Sequence, residues 1–340
     1  SLMPVAIWSA SPTSLAPVND ASHCTETALS NCIPLKVSAK VQLGYILFQL
    51  YRKFLNFRPQ YIALKYLNIN GRLANTDAPV LQADNRSFRY GYGLFETMLL
   101  TNGEIQLKDL HWERLFKGMK QLGFDIPVHL TAALLEEQVL RTVDRNNAAV
   151  HCRIRLQVFP GNGGLYDGDS FQPGYIIECF PLEEHIAQLN ENGLVAGIAE
   201  GLLKSADSLS HLKTSNALVY AAAARQAKQY KWNDALITNT ASHIIESTIA
   251  NIFWIKNEQV YTPPLSEGCI AGVMRHHIIQ SLSAQNRIVQ ETPLTKAILV
   301  DADEVFLSNA IRRIKWVKET EGRAYSNTFT QKLYNAIFGA

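Results

Sequence analysis

The chain has 340 residues, of which 47% are hydrophobic and 18% charged, and its formal net charge at neutral pH is +2. This composition is typical of a globular protein, and the small charge, without a long basic run, argues against a nucleic-acid-binding protein. No apolar run in the sequence approaches the ~20 residues that a membrane-spanning helix needs. The expected partner is therefore a small molecule, with neither nucleic acid nor a membrane bound.

Five cysteines are spread widely along the chain, and no two of them form a close pair of the CxxC type. An odd number of scattered cysteines argues against both a disulfide framework and a zinc site, and it favours a reducing, cytoplasmic location. His276 and His277 are adjacent, so they would point to different sides of a helix. We therefore expect no metal site.

Residues 1–60 form a leader to which the sequence assigns no role. The first 42 or so are rich in Ser, Pro, Asn, Thr and Ala and show little periodicity. Residues 43–57 place apolar side chains at helical spacing, which predicts one amphipathic helix. Such a helix could dock on the body of the protein, on a partner or on a membrane surface, and an early translation start could also explain the leader.

Residues 61–185 are predicted to form a small α+β domain with an antiparallel sheet. The pairs Asn70-Gly71 and Asn102-Gly103 each follow a strand-like run and are strong hairpin signals. Helices are predicted over residues 111–122 and 130–144, and strands over residues 94–100, 104–107, 151–159 and 174–180.

Residues 186–340 are predicted to form a larger domain after a charged connector near residues 181–192. The pattern of apolar residues predicts helices over residues 214–230, 272–284 and 328–338. Strands are predicted over residues 235–238, 251–256, 259–262 and 304–308.

Glu246 follows two isoleucines and precedes an apolar strand. Burying an unpaired carboxylate costs several kcal/mol, so this side chain should have a cationic partner or lie at a cleft. A glutamate that faces water at the end of a strand is the alternative. Lys213, read alone, is typical of a solvated lysine beside the start of a helix.

Three further features could bind anions. The turn from Gly268 to Gly272 opens a helix, and the N–H groups of a helix start suit a phosphate, although glycine there can also serve packing. Arg114 in a helix could grip a phosphate or simply pair with a neighbouring acid. Arg153 and Arg155 alternate onto one strand face, where they could bind substrate carboxylates or face solvent.

The order and spacing of these features carry more information than any one of them. An arginine on an early helix, a lysine before a long helix, a glutamate 33 residues later and a glycine-opened helix resemble the class IV aminotransferase family of pyridoxal-phosphate enzymes. The resemblance runs from about Tyr61 to Gly339. It is carried by the segments NINGRL, YGYGLFETMLLTNGEI, HWERL, HLKTSNAL, IIESTIANIFWIKNEQVYTPPLSEGCIAGVMR and DEVFLSNA.

This resemblance implies a two-domain α/β (α+β) structure of fold type IV, like D-amino acid aminotransferase, with pyridoxal 5'-phosphate between the domains of a homodimer. Lys213 would form the Schiff base with the cofactor, and Glu246 would keep the pyridine nitrogen protonated. Arg114 would bind the phosphate together with the backbone of Val273 and Met274.

Within the family, Ser308-Asn309-Ala310 and the segment PGNGGLY resemble the aminodeoxychorismate lyases, which eliminate pyruvate to leave 4-aminobenzoate for folate synthesis. One departure is Pro160, which stands where those lyases usually carry an arginine. Branched-chain and D-amino acid aminotransferases are the alternative, and a cofactor-free binding protein is a third. Arg155 or Arg312 is expected to receive a substrate carboxylate, unless both are surface arginines.

Overall fold

A computed structural model of the chain describes residues 64–168 and 170–339. The leader over residues 1–60, and with it the helix predicted at residues 43–57, lies outside these described residues. Within them, no helix has both the length and the apolar character needed to cross a bilayer. The described chain is organised around two β-sheets, which come one after the other in the sequence.

The first sheet has six strands in the order β2-β1-β6-β5-β3-β4, and every pairing in it is antiparallel. Three helices belong to this part of the chain. The elements are β1 (Tyr66–Ile69), β2 (Arg72–Asn75), α1 (Arg86–Tyr90), β3 (Leu94–Thr101), β4 (Glu104–Ile105), α2 (Lys108–Gln121), α3 (Ala132–Arg145), β5 (His151–Pro160) and β6 (Pro173–Pro181).

Both predicted hairpins are present. Asn70 and Gly71 adopt φ values of 50° and 85°, and Asn102 and Gly103 adopt 52° and 79°. Two successive residues with positive φ make the tight turn that matches the twist of paired strands, and asparagine followed by glycine tolerates it best. The turns therefore connect β1 to β2 and β3 to β4.

The second sheet has nine strands in the order β12-β11-β10-β13-β14-β7-β8-β9, with β15 beside β14. A further pairing of β9 with β10 closes part of this path on itself. The elements are β7 (Leu194–Lys204), α4 (Leu218–Gln229), β8 (Asp234–Asn239), β9 (Ile244–Ser247), β10 (Asn251–Lys256), β11 (Gln259–Thr262), α5 (Val273–Ser283), β12 (Gln290–Glu291), α6 (Lys296–Asp301), β13 (Glu304–Asn309), β14 (Arg313–Thr320), β15 (Arg323–Ala324) and α7 (Thr328–Phe338).

The predicted mixture of helices and strands and the antiparallel first sheet are confirmed. Sequence reasoning did not identify the strands β7, β9, β12, β14 and β15 or the helices α1 and α6. The first sheet packs on one buried apolar cluster, whereas strands of the second sheet contribute to three. The division of the chain at residues 185 and 186 falls between β6 and β7 and stays a prediction.

The prediction that a helix begins at Thr214 is wrong, because α4 begins at Leu218. The residues before α4 extend along the start of β3 instead. The amide of Phe95 donates to the carbonyl of Lys213 over 3.0 Å, and Ser215 donates to Gly93 over 2.9 Å. These bonds satisfy backbone groups that a helix would otherwise use. They also fix Lys213 beside the start of β3.

Candidate active site

Lys213 lies beside the aromatic ring of Phe95 on β3. Its Nζ is 4.4 Å from the centre of that ring, and the guanidinium carbon of Arg155 is 4.0 Å from the same centre. Arg155 also donates to Gln157 Oε1 over 2.9 Å. The structure therefore brings Lys213 and Arg155, two of the predicted site residues, onto one ring.

The amine of Lys213 is easier to deprotonate than an ordinary lysine. Burial and the nearby charge of Arg114 lower the pKa of Lys213 to about 8, with a smaller contribution from Arg155, although Glu96 and Glu246 oppose the change. The charged form is disfavoured both by loss of water and by the neighbouring cations. A substantial fraction of neutral amine is consequently present near neutral pH, as a nucleophile or a base requires.

Glu246 lies on β9 and is only 2% exposed. Its Oε1 accepts hydrogen bonds from Lys204 Nζ at 2.6 Å and from the Tyr220 hydroxyl at 2.7 Å. Its Oε2 accepts from the backbone N–H of Ile270 at 2.9 Å. A carboxylate offers about four acceptor positions, so one remains for a further donor. Lys204 is the cationic partner that burial of Glu246 requires.

Arg114, on α2, is held by a buried carboxylate that sequence reasoning did not identify. Its Nε donates to Glu96 Oε1 over 2.8 Å and a second guanidinium nitrogen donates to Oε2, while the third donates to the carbonyl of Ala271 over 3.0 Å. His111 Nδ1 lies 2.7 Å from Glu96 Oε2. These contacts hold the guanidinium group of Arg114 against the turn before α5.

The ionisation of Glu96 follows from these contacts. Burial raises the pKa of Glu96, but the charges and hydrogen bonds of Arg114 and His111 outweigh it and bring the pKa to about 2. Burial lowers the pKa of His111 despite its contact with the carboxylate. Glu96 is therefore a carboxylate, and His111 can donate Nδ1–H to it.

The start of α5 has backbone N–H groups without partners in the helix, an arrangement that suits an anion. Gly272 precedes the helix without a side-chain cap, and the first bond within the helix runs from the His276 amide to the Gly272 carbonyl. The amides of Val273 and Met274 therefore have no acceptor within the helix. A Cβ on Gly272 would lie 1.9 Å from Asn251 Oδ1, so any larger residue there would displace the side chain of Asn251.

A buried hydroxyl lies on the strand next to this turn. Ser308 pairs with Asn251 across β13 and β10, and its Oγ has no hydrogen-bond partner within the described residues. Asn251 in turn donates to the carbonyl of Ile270 over 2.8 Å. An unpaired buried hydroxyl costs free energy, which a bound polar group would recover.

A cavity of about 600 Å³ lies beside the start of α5. Arg114, Ala271, Gly272 and Val273 contribute to its wall. Neither Lys213 nor Glu246 lines this cavity. The cavity therefore approaches the site from the side of Arg114 and the helix start.

These residues fit pyridoxal phosphate, which carries an aldehyde, a ring nitrogen and a phosphate. Lys213 can attack the aldehyde, and the remaining acceptor position of Glu246 suits a protonated ring nitrogen. Arg114 and the free amides of α5 suit the phosphate, and the unpartnered Ser308 hydroxyl offers a further donor.

Arg312 lies apart from this constellation. It follows Asn309 in the turn between β13 and β14, and its backbone N–H donates to Asn309 Oδ1 over 2.8 Å. In the part of the chain that the structure describes, its guanidinium makes no hydrogen bond or ion pair with Lys213 or Glu246. Together with burial, its charge lowers the pKa of Lys315 to about 8. The predicted role of Arg312 thus stays a prediction.

Comparison with known proteins adds an independent line of evidence. Residues 93–319 match the family described as amino-transferase class IV. An aminodeoxychorismate lyase of Vibrio harveyi is 30% identical over 72% of this chain and 87% of its own length. A putative branched-chain-amino-acid aminotransferase of Methanocaldococcus jannaschii is 29% identical over 76% and 89%.

Solved structures agree with this match. A putative 4-amino-4-deoxychorismate lyase of Legionella pneumophila has a TM-score of 0.68 and 28% identity. The similarity covers 76% of this chain and 94% of that one. Both lyases and transferases are therefore similar to this chain at comparable identity.

Proposed function

Because this chain belongs to the class IV aminotransferase family of pyridoxal-phosphate-dependent enzymes, we propose that it is a 4-amino-4-deoxychorismate lyase. It would release pyruvate and 4-aminobenzoate, the latter for folate synthesis. The observation that carries the enzymatic part of the proposal is the position of Lys213. Its Nζ lies 4.4 Å from the centre of the Phe95 ring that Arg155 also contacts, and the charges of Arg114 and Glu246 act on its pKa. We also propose that the protein is a homodimer in the cytoplasm, as the family resemblance implies.

The turn over residues 308–310 supports the lyase. Asn309 Oδ1 accepts from the backbone N–H groups of Ile311 and Arg312 over 3.0 and 2.8 Å, and its Nδ2 donates to the Ile249 carbonyl over 3.2 Å. The asparagine thereby orders the turn between β13 and β14. The aminotransferases of the family usually carry a threonine-rich turn there.

Each residue of the site has a defined task in this proposal. When bound, pyridoxal phosphate supplies an electron sink that stabilises negative charge on the substrate carbon beside the amino group. Lys213 Nζ would hold the cofactor and would move a proton from that carbon. The carboxylate of Glu246 would accept a hydrogen bond from the ring nitrogen, and Arg114 would bind the phosphate with the amides of Val273 and Met274.

A substrate carboxylate is proposed to bind Arg155, which shares the ring of Phe95 with Lys213. Arg312 is the second candidate for this contact. Arg155→Ala is expected to raise the Michaelis constant about tenfold or more, since a charge-assisted bond is lost. An unchanged Michaelis constant in both Arg155→Ala and Arg312→Ala would remove carboxylate binding from the proposal.

A direct assay tests the proposed reaction. Holoenzyme supplied with aminodeoxychorismate and no keto acid should release pyruvate and 4-aminobenzoate in equal amounts. Arg312→Ala and Arg155→Ala, assayed in parallel, report whether the turnover depends on the proposed carboxylate contacts. Product formation only after a keto acid is added would contradict the lyase.

A branched-chain or D-amino acid aminotransferase is the second candidate. Pro160 favours it, because the arginine usual in the lyases is missing at that position. The same preparation, supplied with a branched-chain or D-amino acid and 2-oxoglutarate, would then form glutamate. Glutamate formation without any pyruvate release from aminodeoxychorismate would establish this alternative.

A further inference from the structure

The carboxylate of Glu246 already has a cation before any ligand is present. Lys204, the last residue of β7, places Nζ 2.6 Å from Oε1, and the two side chains are only 12% and 3% exposed. The same Nζ lies 5.2 Å from the centre of the Tyr220 ring. Water and salt screen such a buried pair much less than a surface pair. The charge of Lys204 therefore acts strongly on Glu246.

The two oxygens of Glu246 are occupied unequally. Oε1 carries both side-chain donors, Lys204 and Tyr220, whereas Oε2 carries only the backbone N–H of Ile270. The remaining acceptor position is thus on Oε2. A donor that arrives there shares its carboxylate with the ammonium group of Lys204.

We propose that Lys204 is a positioning residue that controls, through Glu246, how strongly the site holds a proton on the ring nitrogen of its cofactor. This inference rests on the proposed function, in which that nitrogen faces Glu246. A protonated ring nitrogen and the Lys204 ammonium are two cations on one carboxylate, so each weakens the attraction of the other. Lys204 consequently orients the carboxylate of Glu246 while limiting its hold on the ring proton.

A pair of ligands isolates this effect. Pyridoxal phosphate and its 1-deaza analogue have the same aldehyde and phosphate, but a carbon replaces the ring nitrogen of the analogue. Only pyridoxal phosphate can donate a proton to Glu246. The ratio of the two dissociation constants, analogue over natural cofactor, therefore measures the nitrogen contact alone, and cofactor-free protein titrated by absorbance gives both constants.

We expect Lys204→Met to raise this ratio by about fivefold or more at neutral pH. The carboxylate of Glu246 then attracts the protonated ring nitrogen without competition from the Lys204 ammonium. Lys204→Arg, which keeps the charge, should stay within about twofold of the wild type. Lys108→Met is the matched control, since it breaks an exposed lysine–glutamate pair of 2.9 Å with Glu136. It should leave the ratio unchanged.

The possible outcomes separate this inference from the proposed function. An unchanged or lower ratio in Lys204→Met, with both ligands weakened alike, would mean that Lys204 only supports the structure and would overturn the inference. If Lys204→Met does not fold, Lys204→Gln removes the charge but keeps a donor, and the same rise is expected. A wild type that binds neither ligand would overturn the proposed function itself.

Discussion

Each end of the candidate site contains an ion pair between a carboxylate and a basic side chain, and the two pairs have opposite orientations. At the proposed phosphate end the cation, Arg114, is 15% exposed and the carboxylate behind it, Glu96, is 1% exposed. At the proposed nitrogen end the carboxylate, Glu246, offers the free acceptor, and the cation behind it is Lys204. The partner behind each group orients it. In the proposed function, the anionic phosphate thus meets the cation of one pair and the protonated ring nitrogen meets the carboxylate of the other.

The substitution with the largest expected effect removes the amine of Lys213. Lys213→Ala should lower kcat by at least about a thousandfold, because both the covalent anchor and the moving proton are lost. Steady-state assays measure this, and an unchanged circular dichroism spectrum shows that the fold persists. Activity at the wild-type level would contradict the assignment of Lys213.

Breaking the pair at the phosphate end should have the next largest effect. Glu96→Gln leaves Arg114 without its counter-charge in a buried place, so the free energy of unfolding should fall by about 3 kcal/mol. Cofactor affinity should fall as well, since Arg114 loses its orientation. Denaturant unfolding and cofactor titration measure the two effects.

Glu136→Gln provides the control for this substitution. It removes the surface partner of Lys108, so its effect on unfolding should stay below about 1 kcal/mol. Equal losses in Glu96→Gln and Glu136→Gln would mean that the buried pair at the phosphate end is no stronger than a surface pair.

The pH dependence of cofactor attachment tests the electrostatics around Lys213. Since the pKa of Lys213 is lowered to about 8, the rate at which apoprotein attaches pyridoxal phosphate should rise up to about pH 8 and then level off. Arg155→Met removes a neighbouring cation and should move the midpoint to higher pH. A midpoint near the ordinary lysine value in the wild type would contradict the burial of this amine.

The smallest expected effect is an acid-induced loss of stability at the phosphate end. The pKa of Glu96 in the folded protein, about 2, lies below its ordinary value of 4.5. Its contribution is therefore complete above the ordinary value and is lost as the pH falls towards 2. Unfolding measured from pH 5 to pH 3 should show a steeper decline in the wild type than in Glu96→Gln, and parallel declines would contradict this.

The sequence predicted the turns and helices that depend mainly on interactions between neighbouring residues. The asparagine–glycine turns fixed two hairpins because that pair tolerates positive φ at both positions. Apolar periodicity located most helices within a few residues. Order and spacing then selected Lys213, Glu246 and Arg114 as candidate site residues, and their charges interact in the structure.

Contacts between distant residues were not predictable in the same way. Lys204 reaches Glu246 across 42 residues, from a strand that sequence reasoning did not identify. Glu96 belongs to a predicted strand, but alternation gave no sign that its partner would be Arg114 on the following helix. The late start of α4 depends on bonds from residues 213–215 to β3, which no local pattern reveals.

The most direct test of the central claim is to locate the covalent attachment. Holoprotein is reduced with borohydride and digested, and the peptides are analysed by mass spectrometry. The phosphopyridoxyl group is expected on Lys213, and Lys204 is expected to be unmodified. A label on Lys204 or on another lysine, or a protein that retains no pyridoxal phosphate, would contradict it.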